Sequence, residues 1–123
     1  LSVRLIADAA VCQALATVDI VLLGADTITP AGAVINKMGS VPIACCAHTV
    51  GVPVYVLAEK RKIARKNRIL GMEAGDTAEL WDAPPSGIIV ENICFERVKP
   101  AYIRGIILEE GLCAPDEIYR RIL

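Results

Sequence analysis

The sequence predicts an α/β domain built on a mostly parallel sheet, and three observations predict it. Strand-like, mostly apolar runs at Val3–Ala7, Ile20–Gly24 and Val52–Ala58 are separated by helix-forming stretches. That alternation is what right-handed βαβ crossovers produce. Hydrophobic residues fill 54% of the 123 positions while aromatics fill 4%, so Val, Ile, Leu and Ala must supply the core. Such a composition suits strands buried on both faces. Two runs also end in an aspartate, Asp8 and Asp26, and open α/β sheets bind ligands at the C-terminal tips of their strands.

Val3–Ala7 is read as the first strand, and Asp8 at its tip either shapes a pocket beside Asp26 or, as favoured, caps a short helix over Ala9–Thr17. Ile20–Gly24 is the second strand. Thr29-Pro30-Ala31-Gly32 is a turn signal. Ser40 is the expected N-cap of a helix through about Val50, with Pro42 tolerated in its first turn and Gly51 as its stop. Val52–Ala58 is the third strand. In the second half, Asp76–Trp81 reads as a capped short helix or turn, and Asp82–Gly87 as a loop. Ile88–Asn92 reads as a fourth strand. Lys99-Pro100 starts a predicted helix through about Leu108, ended by Gly111, and Pro115-Asp116 starts a last helix to Leu123. No repeat or internal boundary interrupts residues 1–123, so a single domain is expected. Because the chain enters a strand almost at Leu1, we expect it to be a piece of a longer protein.

The formal net charge of −1 supplies no general basic field for nucleic acid. No signal peptide and no apolar run of spanning length is found, so no membrane partner is expected and a cytoplasmic location follows. Lys60, Arg61, Lys62, Arg65, Lys66 and Arg68 form a basic cluster. It reads as a solvated helix face, with a phosphate or partner site as the alternative. Five cysteines, Cys12, Cys45, Cys46, Cys94 and Cys113, are odd in number and lack a CxxC pair. Buried thiols in a reducing compartment are expected. The sole histidine, His48, gives no zinc spacing and reads as a satisfied structural residue. Trp81 reads as packing.

The stretch from Val21 to Ser40 carries the chemistry. An apolar strand delivers Asp26 to its tip, a Pro/Gly turn follows, and Asn36-Lys37 then leads into Gly39-Ser40 at a helix start. A partly desolvated acid suits general acid or base work; equally, Asp26 can cap the following turn. Lys37 supplies charge to a phosphate and Asn36 can orient hydroxyls. Gly39 and Ser40 offer backbone N–H groups to an anion. One acid, one cation and one helix start suit a small anionic substrate such as a sugar phosphate.

These residues resemble a known superfamily. GADTI, the turn with Gly32, VINKMGS, an alanine-rich helix and GVPVYVLAE are similar to one C-terminal domain. It is shared by the regulatory α, β and δ subunits of translation initiation factor 2B, methylthioribose-1-phosphate isomerase and archaeal ribose-1,5-bisphosphate isomerase. LIADAAV, DTAELW and PAYIRGIILEEG extend the resemblance over nearly the whole chain. It implies a Rossmann-like three-layer domain, normally preceded by a helical N-terminal domain, and a dimer or higher oligomer. It implies that Asp26 is a catalytic acid/base and that Asn36 and Lys37 bind substrate. It also implies a catalytic cysteine upstream of this region, a role given to none of the five present. Thr27 departs from the Arg of methylthioribose-1-phosphate isomerases, and Ala58-Glu59 is closer to ribose-1,5-bisphosphate isomerases or initiation-factor-related proteins. ENICFERVKP departs from the Asn-Pro, Phe-Asp, Thr-Pro pattern.

Two functions follow as expectations. The first is aldose-to-ketose isomerisation of a ribose 1-phosphate derivative such as ribose 1,5-bisphosphate, with no cofactor. The second is a non-catalytic regulatory subunit of the initiation factor 2B guanine-nucleotide exchange complex, with initiation factor 2 or 2B subunits as partners. Either way a homo-oligomer is expected, held by apolar faces at Ala101–Leu108 and Ile118–Leu123.

Overall fold

A computed structural model describes residues 1–65 and 74–122. Lys66 and Arg68 of the basic cluster, and Leu123, lie outside the described residues. The chain folds as mixed α/β around a four-stranded sheet in the order β1-β4-β6-β7. Strand β1 is Val21–Leu23, β4 is Val54–Leu57, β6 is Gly105–Leu108 and β7 is Gly111–Cys113. The first three are parallel, with Val21 opposite Val54 and Tyr55 opposite Gly105. Strand β7 returns antiparallel at the edge.

A second sheet, antiparallel throughout, holds the motif residues. Its order is β2-β3-β5, with β2 at Thr27–Ile28, β3 at Val34–Lys37 and β5 at Phe95–Val98. The predicted turn closes the β2–β3 hairpin, where the Gly32 N–H donates to the Thr29 carbonyl (2.8 Å). Thr29 is buried and its hydroxyl accepts from the Ala33 N–H at 3.0 Å, so no polar atom is stranded there.

Two helices cover one face of the main sheet. Helix α1, Val11–Leu15, follows a 3-10 turn at Asp8–Ala10, and α2 runs from Ser40 to Val50. The core between helices and sheet joins Leu15, Ala44 and Ala47 to Val54, Val56, Ile106, Leu108 and Ile118. A fully buried Ile or Val contributes about 1.5–3 kcal/mol, so this aliphatic layer compensates for the scarcity of aromatics. The opposite face of the sheet is different. Leu22, Leu57 and Leu112 are 58–60% exposed there.

Several expectations need correction. Val3–Ala7 is not a strand: Val3 and Leu5 are exposed, and no neighbour fixes a register for them. Asp8 makes no capping bond, and Ala7 is the cap residue of its turn. Ile88–Asn92 forms no strand; only an Ala74–Ile93 bridge lies nearby. The predicted helix over Lys99–Leu108 is a single 3-10 turn at Pro100–Tyr102 followed by β6, and Gly111 opens β7 instead of ending a helix. The last segment is 3-10 over Pro115–Arg121. Basic residues Lys60–Lys62 form one 3-10 turn. Trp81 is 49% exposed and so packs little.

Cysteine chemistry also departs from expectation. Cys12 of α1 and Cys46 of α2 are joined as a disulfide with Cα atoms 5.5 Å apart, whereas Cys45, Cys94 and Cys113 are free. Close packing of the two helices brings the first pair within bonding range. His48 is exposed in the last turn of α2, its ring 5.3 Å from that of Tyr102. No helix among the described residues is long and apolar enough to cross a membrane.

Candidate functional site

Strand β3 delivers Asn36 and Lys37 at its C-terminal end, and a two-residue turn feeds them straight into α2. Gly39 is the N-cap residue, with φ 104°, a conformation in which glycine is unstrained. Ser40 is therefore the first helical residue and not the cap that we expected. Its buried hydroxyl works differently. It donates to the Lys37 carbonyl at 2.7 Å and accepts from Asn36 Nδ2 at 2.9 Å. One side chain thus closes the turn and fixes the Asn36 amide.

The other end of the site comes from β5, which pairs antiparallel with β3. Asn36 lies opposite Glu96, and Lys37 opposite Phe95. The Lys37 ammonium sits over the Phe95 ring, 4.5 Å from its centroid, a cation–π contact that holds an exposed charge in place. The Glu96 carboxylate accepts the Val41 N–H at 2.7 Å. The predicted anion site at the start of α2 is therefore partly filled by the protein's own acid. Neither Phe95 nor Glu96 was singled out from sequence. The unusual ENICFERVKP segment was the available signal, because it departs from the family pattern at the strand that abuts the motif.

Asn36, Lys37, Gly39 and Ser40 share a cavity of about 570 Å³. Asp8, Leu23 and Pro42 also line it. Asp8 is thus a wall of the site, where a helix cap had been favoured.

Asp26 is close in the chain's path but lines a different surface. Its N–H donates to the Ile35 carbonyl at 2.9 Å, although Ile35 is paired with Thr27. Two residues of one strand then face one of the other, the arrangement of a β-bulge, which re-aims side chains at strand ends. Asp26 is exposed, so the desolvation expected at the end of an apolar strand is not found. Gly24 and Ala25 just before it line a second cavity, about 450 Å³, with Ala58, Glu59, Lys62 and Glu109. This one lies at the C-terminal ends of β1, β4 and β6. Backbone contact thus brings Asp26 beside the Asn36–Lys37 strand, although its side chain lines neither cavity. Among the described residues, neither Asp26 nor Lys37 joins an ion pair. Both charges are open to a ligand.

The basic cluster is engaged elsewhere. Lys60 pairs with Glu110 at 2.8 Å and Arg61 with Glu59 at 2.7 Å. The Arg61 guanidinium holds the Glu59 carboxyl below its usual range. These two residues fit the solvated-surface reading. A larger cavity, about 720 Å³, opens at the N-terminal ends of β4 and β6 beside His48, Tyr55, Tyr102 and Arg104. None of the motif residues reaches it.

Comparison with known proteins places this geometry. The chain is 38% identical over 126 residues to a ribose 1,5-bisphosphate isomerase of Archaeoglobus fulgidus, covering 97% of this chain and 40% of that protein. The crystal structure of a translation initiation factor eIF-2B of Pyrococcus horikoshii superposes with a TM-score of 0.80 at 29% identity, covering 98% of this chain and 41% of that one. A 5-methylthioribose 1-phosphate isomerase of the same organism gives a TM-score of 0.84 at 26% identity, covering 99% and 36%. The chain therefore spans about two-fifths of the length of the relatives it matches. The Initiation factor 2 subunit family profile matches residues 1–115, and on that match, together with the 38% identity to the isomerase, the chain belongs to this family.

Proposed function

We propose that this domain binds a sugar phosphate in the cavity of Asn36, Lys37, Gly39 and Ser40, and that within a longer protein it serves aldose-to-ketose isomerisation of a ribose 1-phosphate derivative such as ribose 1,5-bisphosphate. The observation that carries this reading is the coupling of Asn36, Ser40 and Lys37 through two short hydrogen bonds at the mouth of one cavity. A preorganised amide beside a held ammonium suits a polyhydroxy anion, because one orients hydroxyls and the other carries phosphate charge.

The reaction moves hydrogen between neighbouring carbons and oxygens of one molecule, so it consumes no external oxidant or reductant. Asp26 is the proposed acid/base. Its exposure in the isolated domain leaves room for a further segment to close over it and exclude water. The cysteine implied by the family resemblance belongs to such a segment.

Titration of the full-length protein with ribose 1,5-bisphosphate tests the reading. Lys37→Ala is expected to weaken binding at least tenfold. Asp26→Asn is expected to preserve binding and to lower turnover at least a hundredfold. Unchanged affinity in the Lys37 variant would remove the site assignment.

A second reading is favoured by the eIF-2B superposition and by the uncovered sheet face of Leu22, Leu57 and Leu112. A regulatory subunit would bind the same ligand class without turnover and use that face for subunit contact. Under either reading we propose that the chain self-associates through this face. A single-turnover assay with the bound ligand separates the two readings.

A further inference from the structure

Helix α2 begins with an anion already in place. Of its first N–H groups, that of Val41 is taken by Glu96 at 2.7 Å, Pro42 has none, and that of Ile43 bonds the Gly39 carbonyl at 3.2 Å. The N–H groups of Gly39 and Ser40 are left without a described partner, and both residues line the cavity that Lys37 also lines. Glu96 is fixed there by register, directly opposite Asn36 on β5.

We propose that Glu96 is a positioning residue for the ligand's anionic group. By taking the Val41 N–H, it denies the phosphate that donor and leaves it to Lys37 and the N–H groups of Gly39 and Ser40. This rests on the sugar-phosphate reading above and deepens it. The physical argument has two parts. A carboxylate bonded to a helix N-terminus neutralises the partial positive charge that would otherwise attract an anion. The same carboxylate repels a second anion bound beside it, and in a solvent-open site salt screens that repulsion. Glu96 therefore trades affinity for position: phosphate is held less tightly, but in one place.

The test uses inorganic phosphate as the probe, titrated by calorimetry at low and at high salt into wild type, Glu96→Gln, Glu96→Asp and Lys37→Ala proteins. Glu96→Gln keeps an oxygen acceptor for the Val41 N–H and removes the charge. It is expected to bind phosphate about fivefold tighter at low salt, with the gain shrinking at high salt. Its melting temperature is expected to stay within about 2 °C of wild type, because the hydrogen bond to Val41 survives. Should the Gln variant not fold, Glu96→Asp replaces it. The shorter side chain withdraws from Val41, and affinity is expected to rise, though less. A purely structural cap would leave affinity unchanged or lower it in both variants, and that result overturns the proposal. If Lys37→Ala leaves phosphate binding intact, the sugar-phosphate reading fails and takes this inference with it. If Lys37→Ala weakens binding while the Glu96 variants do not tighten it, only the role of Glu96 is lost.

Discussion

Ser40 shows how much a single hydroxyl can organise. It is 5% exposed and makes two hydrogen bonds, one to backbone and one to the amide that faces the ligand cavity. Ser40→Ala leaves the Asn36 amide and the Lys37 carbonyl each short of a partner. The expected cost is about 2 kcal/mol in urea unfolding. The same variant is expected to lose sugar-phosphate affinity, since Asn36 is freed to rotate. Stability lost with affinity unchanged would show that Asn36 does not need its brace. Asn36, Lys37, Gly39 and Ser40 stand out in the sequence because they are contiguous and chemically distinctive, and the fold sets all four along one cavity. Sequence reasoning weighed Asp8 as a wall of the pocket but favoured a helix cap, and it did not read Phe95 or Glu96 as site residues. Those reach the cavity or its frame through tertiary pairing, which local spacing does not encode.

At the scale of elements, the two central strands of the first half were legible, whereas Val3–Ala7, the β2–β3 hairpin and most of the second half were not, for a physical reason. Ile20–Gly24 and Val52–Ala58 are bounded by turn residues and cannot be read otherwise. Lys99–Leu108 places Ile103, Ile106 and Ile107 at helical spacing, yet Gly105–Leu108 pairs with β4. Short apolar runs fit either period. Gly105 settles the matter in space: a side chain there would meet Leu112 and Tyr55. The β2–β3 hairpin depends on a glycine of another kind. Gly32 has φ 77°, and a Cβ on it would run into the Pro115 carbonyl. Gly32→Ala is expected to destabilise by about 2 kcal/mol or more, read as a lower denaturation midpoint with unchanged m-value. A neutral result would mean that the Pro115 segment yields freely. The loop between β6 and β7 is tied down by charge. Glu110 accepts from Lys60 and from Arg121, which hold its carboxyl below the ordinary 4.5. A depressed carboxyl stabilises the fold above its unfolded value, and that contribution is lost as pH falls through the depressed one. Glu110→Gln should therefore flatten part of the stability slope below about pH 4.5, modestly because the pair is exposed. An identical acid limb in wild type and variant would show that these pairs contribute nothing.

For the whole molecule, the informative surface is the face of the main sheet that no helix among the described residues covers. Leu22 on β1, Tyr55 and Leu57 on β4, Ile107 on β6 and Leu112 on β7 share it by register. Parallel sheets are found with both faces covered, because their strands are apolar on both sides. The association expected from sequence was placed on helical faces at Ala101–Leu108 and Ile118–Leu123. That placement does not hold, since Ile106, Leu108 and Ile118 are consumed by the core. We propose the uncovered sheet face for that role, since its exposed leucines add apolar surface that the core does not use. A second copy seated there would exclude water from an apolar interface on the order of 1,000 Å² in total. Sedimentation velocity across micromolar concentrations is expected to show a concentration-dependent dimer or larger species. Leu112→Lys should shift that equilibrium towards monomer without unfolding the protein, because lysine on an edge strand is well tolerated and opposes edge and face contacts alike. Far-ultraviolet circular dichroism checks that the fold survives. A wild-type monomer at every concentration, or a Leu112 variant that associates as strongly as wild type, would remove this face from the interface.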